Sequence, residues 1–530
     1  MDVLKAIHRA GHSAYLMMEE RFNQGFGNAW NPFYHLGSLT FYFFWIVLVS
    51  GLYIFIFFET SVGQAYQSVE YITHQQWWLA GVMRSLHRYA SDAAVLSIFL
   101  HMGREFFRDR YRGVRWFSWF TGVPTLWLTV ILGITGYWLV WDQMAQYIAL
   151  ATAELVDWLP IAPGAMTKNF LGDGQLSDRF FTLMAFLHLL AFPVMMVFAL
   201  WLHVSRISSV DFLPPKGLAV GSLAALTLLS LLKPALSHGP ADLQNSPTVL
   251  HLDWFYLNIY PLMDKYGPLW AWVIPIGLTL FFMALPWLPP RKEEPEAKVH
   301  LPDCNGCGQC AKDCPFGAVS MRPRTDGAKF TFEPVVDPTL CTACGICTGS
   351  CVSSNPYRQA DGQLSTGIDM PALPVEALRQ QVKSLLHGLA GPRKTLLIGC
   401  RHGAEAQQLA SPEIAVLILP CSGMVPPSFL DFALRQGADG VMTTACRDGD
   451  CYYRMGNTVL MERLARQRKP FLLRRTPDER VVMVHASRHD LNDLRQEVDR
   501  FRQRLDGLPA LAHQAPRGPE IEEEKEEAHA

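Results

Sequence analysis

Apolar residues gather into six long stretches, at 36–58, 79–103, 117–141, 181–205, 217–236 and 268–288. A helix needs about 20 apolar residues to cross the hydrocarbon core of a bilayer, so each stretch predicts a transmembrane helix. Two of them depart from the pattern. The second carries Arg84, His87, Arg88 and Asp92 in its first half, and polar groups at membrane depth are costly enough to mark function. The fifth is short and runs into Lys233-Pro234. Residues 1–30 read as an amphipathic surface helix, with no signal-peptide core and no small-residue cleavage site.

Beyond residue 290 the pattern changes to that of soluble protein. A charged linker (291–303) precedes a cysteine-rich segment (304–356) and a polar connector (357–393) with one helix expected over 374–389. Short apolar runs at 394–399, 414–419, 440–444 and 480–485 then read as buried strands, with helices near 427–437 and 453–468 between them. That alternation predicts a small α/β domain with a parallel sheet over 394–510. Residues 511–530 form an acidic tail, with its charge from Glu520 to Glu527.

Charge orients the chain and excludes one class of partner. The net charge is −2, without the basic patch that nucleic-acid binding requires, so no nucleic-acid partner is expected. Arg104, Arg108, Arg110, Arg112 and Arg115 follow the second stretch, Arg206 and Lys216 the fourth, and Arg291 and Lys292 the sixth. The 59–78 loop has Glu59 and Glu70 and no Lys or Arg, and the loop between the third and fourth stretches is acidic on balance. The positive-inside rule then places both termini on the cytoplasmic side of a bacterial or archaeal inner membrane. All twelve cysteines lie beyond residue 300, in a compartment where thiols stay reduced and metal ligation is favoured over disulfides.

The candidate chemistry rests on histidines in the first half and cysteines in the second. His87 and His101 are 14 residues apart, and His188 and His203 are 15 apart. Fourteen residues is close to four helical turns, about 21 Å, so a pair at that interval shares nearly one face. Gly37 with Gly51, and Gly122 with Gly136, repeat the 14-residue interval on the first and third stretches. Two facing helices with such histidines can hold two haems, each iron between two imidazoles, with the glycines leaving room for the macrocycle. The plainer alternative is buried polar histidines and glycines that serve close helix packing.

Cys304, Cys307, Cys310 and Cys314 form one C-x2-C-x2-C-x3-C run, and Cys341, Cys344, Cys347 and Cys351 a second. In two-cluster ferredoxins the fourth cysteine of each run serves the other cluster. Cys304, Cys307, Cys310 and Cys351 are therefore assigned to one 4Fe–4S cluster, and Cys314, Cys341, Cys344 and Cys347 to the other. Zinc is the structural alternative for paired C-x2-C. Cys400, Cys421 and Cys446 fall at strand ends, where open parallel sheets gather ligands, and Cys451 follows in CRDGDCYYRMGN. Buried structural thiols are the alternative for these four.

The stretches NPFYHLGSL (31–39), RSLHRYASDA (84–93), LHMGRE (100–105), GITGYWLVWDQ (133–143) and FLHLLAFPVMMVFALWLHVSRI (186–207) resemble cytochrome b of the quinol–cytochrome c and plastoquinol–plastocyanin oxidoreductases. The resemblance implies a four-helix haem bundle over 31–210, followed by further helices and a quinone-site loop over 211–290. It implies that His87 pairs with His188 at the outer haem b and His101 with His203 at the inner one. Arg84 and Arg104 match positions near haem propionates, with a plain anchor at the membrane interface as the alternative for both. His35 stands where the chloroplast type has a cysteine that attaches an extra haem, so that haem is not expected. The loop ADLQNSPTVLHLDWFYL (241–257) resembles the one whose glutamate takes a quinol proton. Asp253 holds that place, with a helix cap as the alternative role. Residues 394–466, through Cys400, Cys421 in PCSGM, Cys446 and Cys451, resemble the delta subunit of methyl-viologen-reducing hydrogenase. That family holds a 2Fe–2S cluster and serves a heterodisulfide-reductase-type flavoprotein.

The expected whole is a multi-domain protein: an all-α transmembrane haem bundle of six helices, an α+β ferredoxin-like dicluster domain and the small α/β domain. Its expected function is quinol/quinone oxidation–reduction, with electrons passing between the quinone pool, two haem b, the iron–sulfur clusters and a soluble flavoprotein or heterodisulfide-reductase-like partner. The alternative is a pure electron-transfer subunit of a larger respiratory complex with no quinone site of its own. A homodimer or larger complex is expected. No Gly-rich dinucleotide fingerprint occurs in a strand–turn–helix setting, so neither NAD nor FAD is expected.

Overall fold

The computed structural model describes residues 2–160, 178–245, 249–288, 294–360, 363–488, 490–509 and 511. The 161–177 part of the loop between the third and fourth apolar stretches, Arg291 and Lys292, and the acidic tail with Glu520 to Glu527 lie outside the described residues. So do residues 246–248 of the expected quinone-site loop. The chain divides into two units, Met1–Ser205 with Val210–Arg291, and Arg206–Ser209 with Lys292–Ala530.

The first unit is helical. Its leading helices are α1 (Asp2–Phe26), α2 (Leu36–Phe55), α3 (Val82–Phe107) and α4 (Trp116–Val140). The next, α5, spans 178–204 and joins Asp178–Phe186 to Phe192–Val204 through a π-helical turn, Leu187–Ala191. The π turn has a local cause. Pro193 has no N–H to offer the carbonyl four residues back, and its ring would crowd that carbonyl in a regular helix. Asn31 fixes the entry to α2: its side chain accepts from Phe33 N at 3.0 Å and donates to Glu19 O on α1 at 2.9 Å.

Among the described residues, four helical segments are long and apolar enough to span a bilayer: Leu36–Phe55, Gly113–Val140, Phe181–Val204 and Pro268–Trp287. Six were expected. The fifth stretch forms a helix, Lys216–Leu232, of 17 residues, at the lower limit of the length that crosses a bilayer. The second forms α3, with 26 residues; it is long enough but carries Arg84, Arg88, Asp92, Arg104 and Glu105. Glu105 pairs with Arg115 at 3.3 Å, and the other charged side chains find partners within the unit.

The second unit contains sheets. A two-stranded antiparallel hairpin pairs Val319–Pro323 with Phe332–Val336. Two short helices, Gln309–Lys312 and Ile346–Ser350, each follow a glycine in the left-handed region, Gly308 at φ 73° and Gly345 at φ 76°. The C-terminal sheet has four strands, β1 (Thr395–Cys400), β2 (Ile414–Leu419), β3 (Gly440–Ala445) and β4 (Val481–His485), all parallel in the order β4-β3-β1-β2.

Successive strand residues face opposite sides. Leu396, Ile398 and Leu417 pack on one face with Phe429 and Leu430, while Leu397, Val416 and Met442 pack on the other with Leu494, Val498 and Phe501. Covering both faces is why these strands read as continuous apolar runs in the sequence. The helices expected near 427–437 and 453–468 are Ser428–Arg435 and Gly456–Leu464, and that over 374–389 is Val375–His387.

Candidate functional site

In the helical unit, α3 carries His87 and His101, and α5 carries His188 and His203. The ring centroids of His87 and His188 are 6.4 Å apart. Two imidazoles on opposite sides of one metal, with bonds of about 2.0–2.1 Å, would put their centroids about 6.4 Å apart, so the separation of this pair is compatible with a shared metal. His203 lies within electrostatic reach of His101. The π turn accounts for the unequal sequence intervals. Fifteen residues of regular helix overshoot a common face by about 60°, and one extra residue in a wide turn brings His188 and His203 back towards the relation of a 14-residue pair.

The outward nitrogens are tied to neighbouring helices. His87 Nδ1 lies 2.9 Å from Val47 O and 3.3 Å from Ser50 Oγ. A carbonyl only accepts, so Nδ1 donates the proton and Nε2 keeps its lone pair, the form in which histidine binds a metal. His188 Nδ1 lies 3.1 Å from Thr135 Oγ1, and His203 Nδ1 lies 3.4 Å from Thr121 Oγ1. The Leu132 and Ser118 carbonyls add backbone acceptors to these two rings. Ser50, Thr121 and Thr135 were not anticipated. Their signal was present: each is the residue immediately before one of the singled-out glycines.

The glycines make room first for imidazole. A Cβ at Gly51 would stand 2.8 Å from His87 Cε1, one at Gly136 3.0 Å from His188 Cε1, and one at Gly122 3.1 Å from His203 Cε1. At Gly37 the nearest atom is His101 Cε1 at 3.8 Å, an ordinary contact. Valine at Gly136 is therefore expected to displace the His188 ring and deplete the bound haem, whereas alanine at Gly37 leaves haem content unchanged. Pyridine haemochrome assays of the two purified variants test this contrast.

The two arginines of the site prediction are held differently. Arg84 donates to Ser237 Oγ at 2.8 Å, bonds Thr73 Oγ1 and lies 4.0 Å from Glu70. Arg104 is 4% exposed. Its Nε donates to Glu19 Oε1 on α1 at 2.8 Å, and its guanidinium lies 5.5 Å from the Tyr34 ring. Glu19 also pairs with Arg108, so a buried carboxylate ties the N-terminal helix to the end of α3.

Asp253 does not cap a helix, because the next one, Ile259–Tyr266, starts six residues further on. Its Oδ1 accepts from Phe255 N at 2.7 Å, a local turn of the kind Asp favours. Its Oδ2 accepts from Arg88 Nη2 at 2.6 Å and from Tyr137 Oη at 2.6 Å. Arg88 pairs at the same time with Asp92. One guanidinium thus serves two carboxylates, and the cluster draws on α3, α4 and the segment before the last helices.

In the second unit eight cysteines line two separate cavities. One cavity is lined by Cys304, Cys307, Cys310 and Cys351, with Met321, Pro334, Gly367 and Ile368 among its walls. The other is lined by Cys314, Cys341, Cys344 and Cys347, with Phe316 and Met370. Backbone N–H groups point at sulfur, from Gly306 to Cys304 Sγ at 3.4 Å and from Ala318 to Cys314 Sγ at 3.2 Å. Burial pushes the Cys310 and Cys344 thiols up to about 12, and Cys347 is also raised well above the usual thiol range. A bound metal cation reverses that balance and ionises the sulfur.

The last four cysteines converge at the carboxyl end of the parallel sheet. Cys400 ends β1, Cys421 and Cys446 follow β2 and β3, and all four are buried. Strand order reverses between β1 and β3, where open α/β sheets bind ligands. Cys400 is in hydrogen-bonding contact with Cys421 and Cys446, and Cys451 contacts the same two. Hydrogen bonds between these free thiols hold Cys400 and Cys451 well below the usual thiol range and push Cys421 and Cys446 above it. Among the described residues, no group of three or more His, Cys, Asp or Glu is arranged to hold a single metal ion.

A membrane bundle with facing histidine pairs, joined to paired cysteine cavities and a thiol-lined sheet, defines a multi-pass electron-transfer protein. Residues 24–210 match the family described as Cytochrome b/b6/petB, residues 303–355 the 4Fe-4S dicluster domain, and residues 399–508 the methyl-viologen-reducing hydrogenase, delta subunit. Cytochrome b6 of Synechococcus elongatus is 30% identical over 175 residues, which covers 33% of this chain and 80% of that protein, and cytochrome b6 of Gracilaria tenuistipitata var. liui matches to the same extent. Cytochrome b6 of Heliobacterium mobile is 29% identical over 173 residues, 33% of this chain and 81% of that protein. The chain belongs to the cytochrome b/b6 family through this first part, which implies haem, while the dicluster domain implies 4Fe–4S clusters. A solved structure titled "Hyperthermophilic respiratory Complex III" aligns with a TM-score of 0.41 and 18% identity, over 48% of this chain and 75% of that one.

Proposed function

We propose that this chain is a quinol/quinone oxidoreductase subunit of a respiratory complex. It exchanges electrons between the quinone pool and a soluble flavoprotein or heterodisulfide-reductase-like partner. In this reading His87 with His188, and His101 with His203, hold two haem b in a bundle of six crossings, with both termini and the cysteine-bearing domains on the cytoplasmic side. Arg84 and Arg104 serve the haem propionates. Cys304, Cys307, Cys310 and Cys351 hold one 4Fe–4S cluster, Cys314, Cys341, Cys344 and Cys347 a second, and Cys400, Cys421, Cys446 and Cys451 a 2Fe–2S cluster. The haems and clusters supply one-electron carriers across and below the bilayer. The observation that carries the reading is the 6.4 Å separation of the His87 and His188 rings, each ring backed by a hydroxyl residue and faced by a glycine.

The chain's own residues then orient and hold protons. Val47 O and Ser50 keep His87 in one tautomer, and the glycines let the imidazoles stand upright between helices. Asp253 takes the quinol hydroxyl proton. Arg88 keeps Asp92 as its counter-charge when that happens, so the cation is not left unpaired. A general base contributes about 10²–10⁴-fold. Asp253→Asn is therefore expected to slow quinol-driven haem reduction at least a hundredfold, with haem content unchanged, as read by stopped-flow absorbance under anaerobic conditions.

The second reading, an electron-transfer subunit with no quinone site, is favoured by one observation. Asp253 is already committed to Arg88, Tyr137 and the Phe255 N–H. Unchanged quinol-driven reduction in Asp253→Asn selects that reading.

A further inference from the structure

In the second unit the two cysteine-bearing domains meet along a seam between the second cysteine cavity and the four-thiol site. One side is the Ile346–Ser350 helix, which contains Cys347 and starts just after Cys344. The other is the Ser422–Met424 turn, directly after Cys421, with Gly456 at the start of its helix. Glycines bring the two backbones together. A Cβ at Gly345 would stand 2.6 Å from Met424 Cγ, and one at Gly349 would stand 2.8 Å from Met424 O. A Cβ at Gly456 would overlap Cys421 Sγ, and the same point lies 3.5 Å from Ile346 Cδ1 and 3.7 Å from Cys451 Sγ. Tyr453, buried beside them, lies within electrostatic range of Cys344, Cys421 and Cys400. The first cavity has other walls, including Met321 and Pro334 of the hairpin.

Arg463 closes the seam. Its side chain is fully buried. It donates to Gly423 O at 2.8 Å, Asp313 Oδ2 at 3.0 Å and Ile346 O at 3.4 Å, and it bonds Ser350 Oγ. Asp313, also fully buried, stands next to Cys314 and accepts from Ser350 and Gln309 at 2.8 Å and from Arg468 at 2.6 Å. The guanidinium therefore joins, in one hydrogen-bonded set, residues within two positions of Cys314, Cys347, Cys351 and Cys421. A planar fork with several fixed donors suits that task, and it stays charged at any working pH.

We propose that the second cysteine set (Cys314, Cys341, Cys344, Cys347) exchanges electrons directly with the four-thiol site, and that Arg463 is the positioning residue that fixes their approach and favours the reduced state of both. The inference rests on the reading of these sets as 4Fe–4S and 2Fe–2S sites. The step moves one electron: the second set's cluster is oxidised by one as the four-thiol site's is reduced by one, and no bond forms or breaks. A fixed positive charge in a dry seam stabilises the added negative charge on either side, so its removal lowers both potentials.

The test is anaerobic redox titration of the full chain, followed by EPR. Iron and sulfide are measured first; a content too low for two 4Fe–4S and one 2Fe–2S clusters overturns the cofactor reading, and the seam with it. With full content, the 2Fe–2S signal is expected to split or broaden as the neighbouring cluster becomes paramagnetic. That interaction is expected to survive in Cys307→Ser, which strips the first set alone. Arg463→Met is expected to shift the reduced-to-oxidised ratio of both sites at least tenfold toward oxidised, 59 mV for a one-electron couple. Arg463→Lys restores most of that shift. Full iron with no splitting overturns the proposal, as does splitting lost in Cys307→Ser or an Arg463→Met protein with unchanged potentials. Should Arg463→Met fail to hold iron, the wild-type and Cys307→Ser spectra decide.

Discussion

His87→Leu is expected to yield a protein with about half the haem b of the parent, since one of two bis-imidazole sites loses a ligand. Leucine offers the metal nothing, and His188 alone supplies one axial bond where two rings now stand 6.4 Å apart. The second site is untouched, because His101 lies four turns along α3, about 21 Å away. The loss is chemical rather than a general collapse: leucine fills much of the space of the ring, and Val47 O still accepts from Ser50 Oγ at 3.1 Å once the imidazole is gone. Pyridine haemochrome analysis per chain gives the content, and low-temperature spectra show which α-band disappears. His35→Ala serves as the control. His35 is engaged with the Ala29 carbonyl at 3.1 Å, and its replacement leaves haem content at the parental level. Full haem in His87→Leu would remove His87 as a ligand.

Cys351→Ser is expected to abolish one 4Fe–4S cluster, and the one lost is that of the run lying about 40 residues earlier in the chain, following the ligand exchange of two-cluster ferredoxins. Cys351 lines the cavity of Cys304, Cys307 and Cys310, although in sequence it closes the run that begins at Cys341. A Cβ at Gly367 would stand 3.3 Å from Cys351 Sγ and 3.1 Å from Cys304 Cα, so the sulfur has little freedom to serve elsewhere. Cys314→Ser is expected to do the reverse, removing the cluster of Cys341, Cys344 and Cys347. Iron content and the EPR signals remaining after dithionite reduction distinguish the two variants. Identical spectra from both would refute the crossed assignment.

Much of this was legible along the chain because it depends on short-range regularities. The four strands fall within a residue or two of their apolar runs, since a strand buried on both faces needs continuous apolar side chains. The six apolar stretches were legible too, but the standing of α3 and Lys216–Leu232 was not. An arginine at depth reads the same whether it faces lipid or a carboxylate. Helical spacing alone sets Asp92 beside Arg88, four residues away, but only the folded chain brings Asp253 to Arg88 and Glu19 to Arg104. Tyr137 was quoted as part of a motif without a task, because its partner lies 116 residues away.

What the sequence by itself determined is the set of candidate histidines and cysteines and their order along each element. Helical periodicity alone puts His87 and His101 on one face, and the cysteine intervals alone make two cluster-type runs. What only the tertiary structure decided is what each ligand faces. The 15-residue interval on α5 becomes equivalent to 14 through a π turn beside Pro193. The glycines turn out to be set against imidazoles, and Arg463 comes to rest between two cysteine sites. The physical reason is common to all three. Spacing along an element follows from backbone geometry, whereas partnership across elements follows from packing and from the need of every buried charge and donor to find its complement.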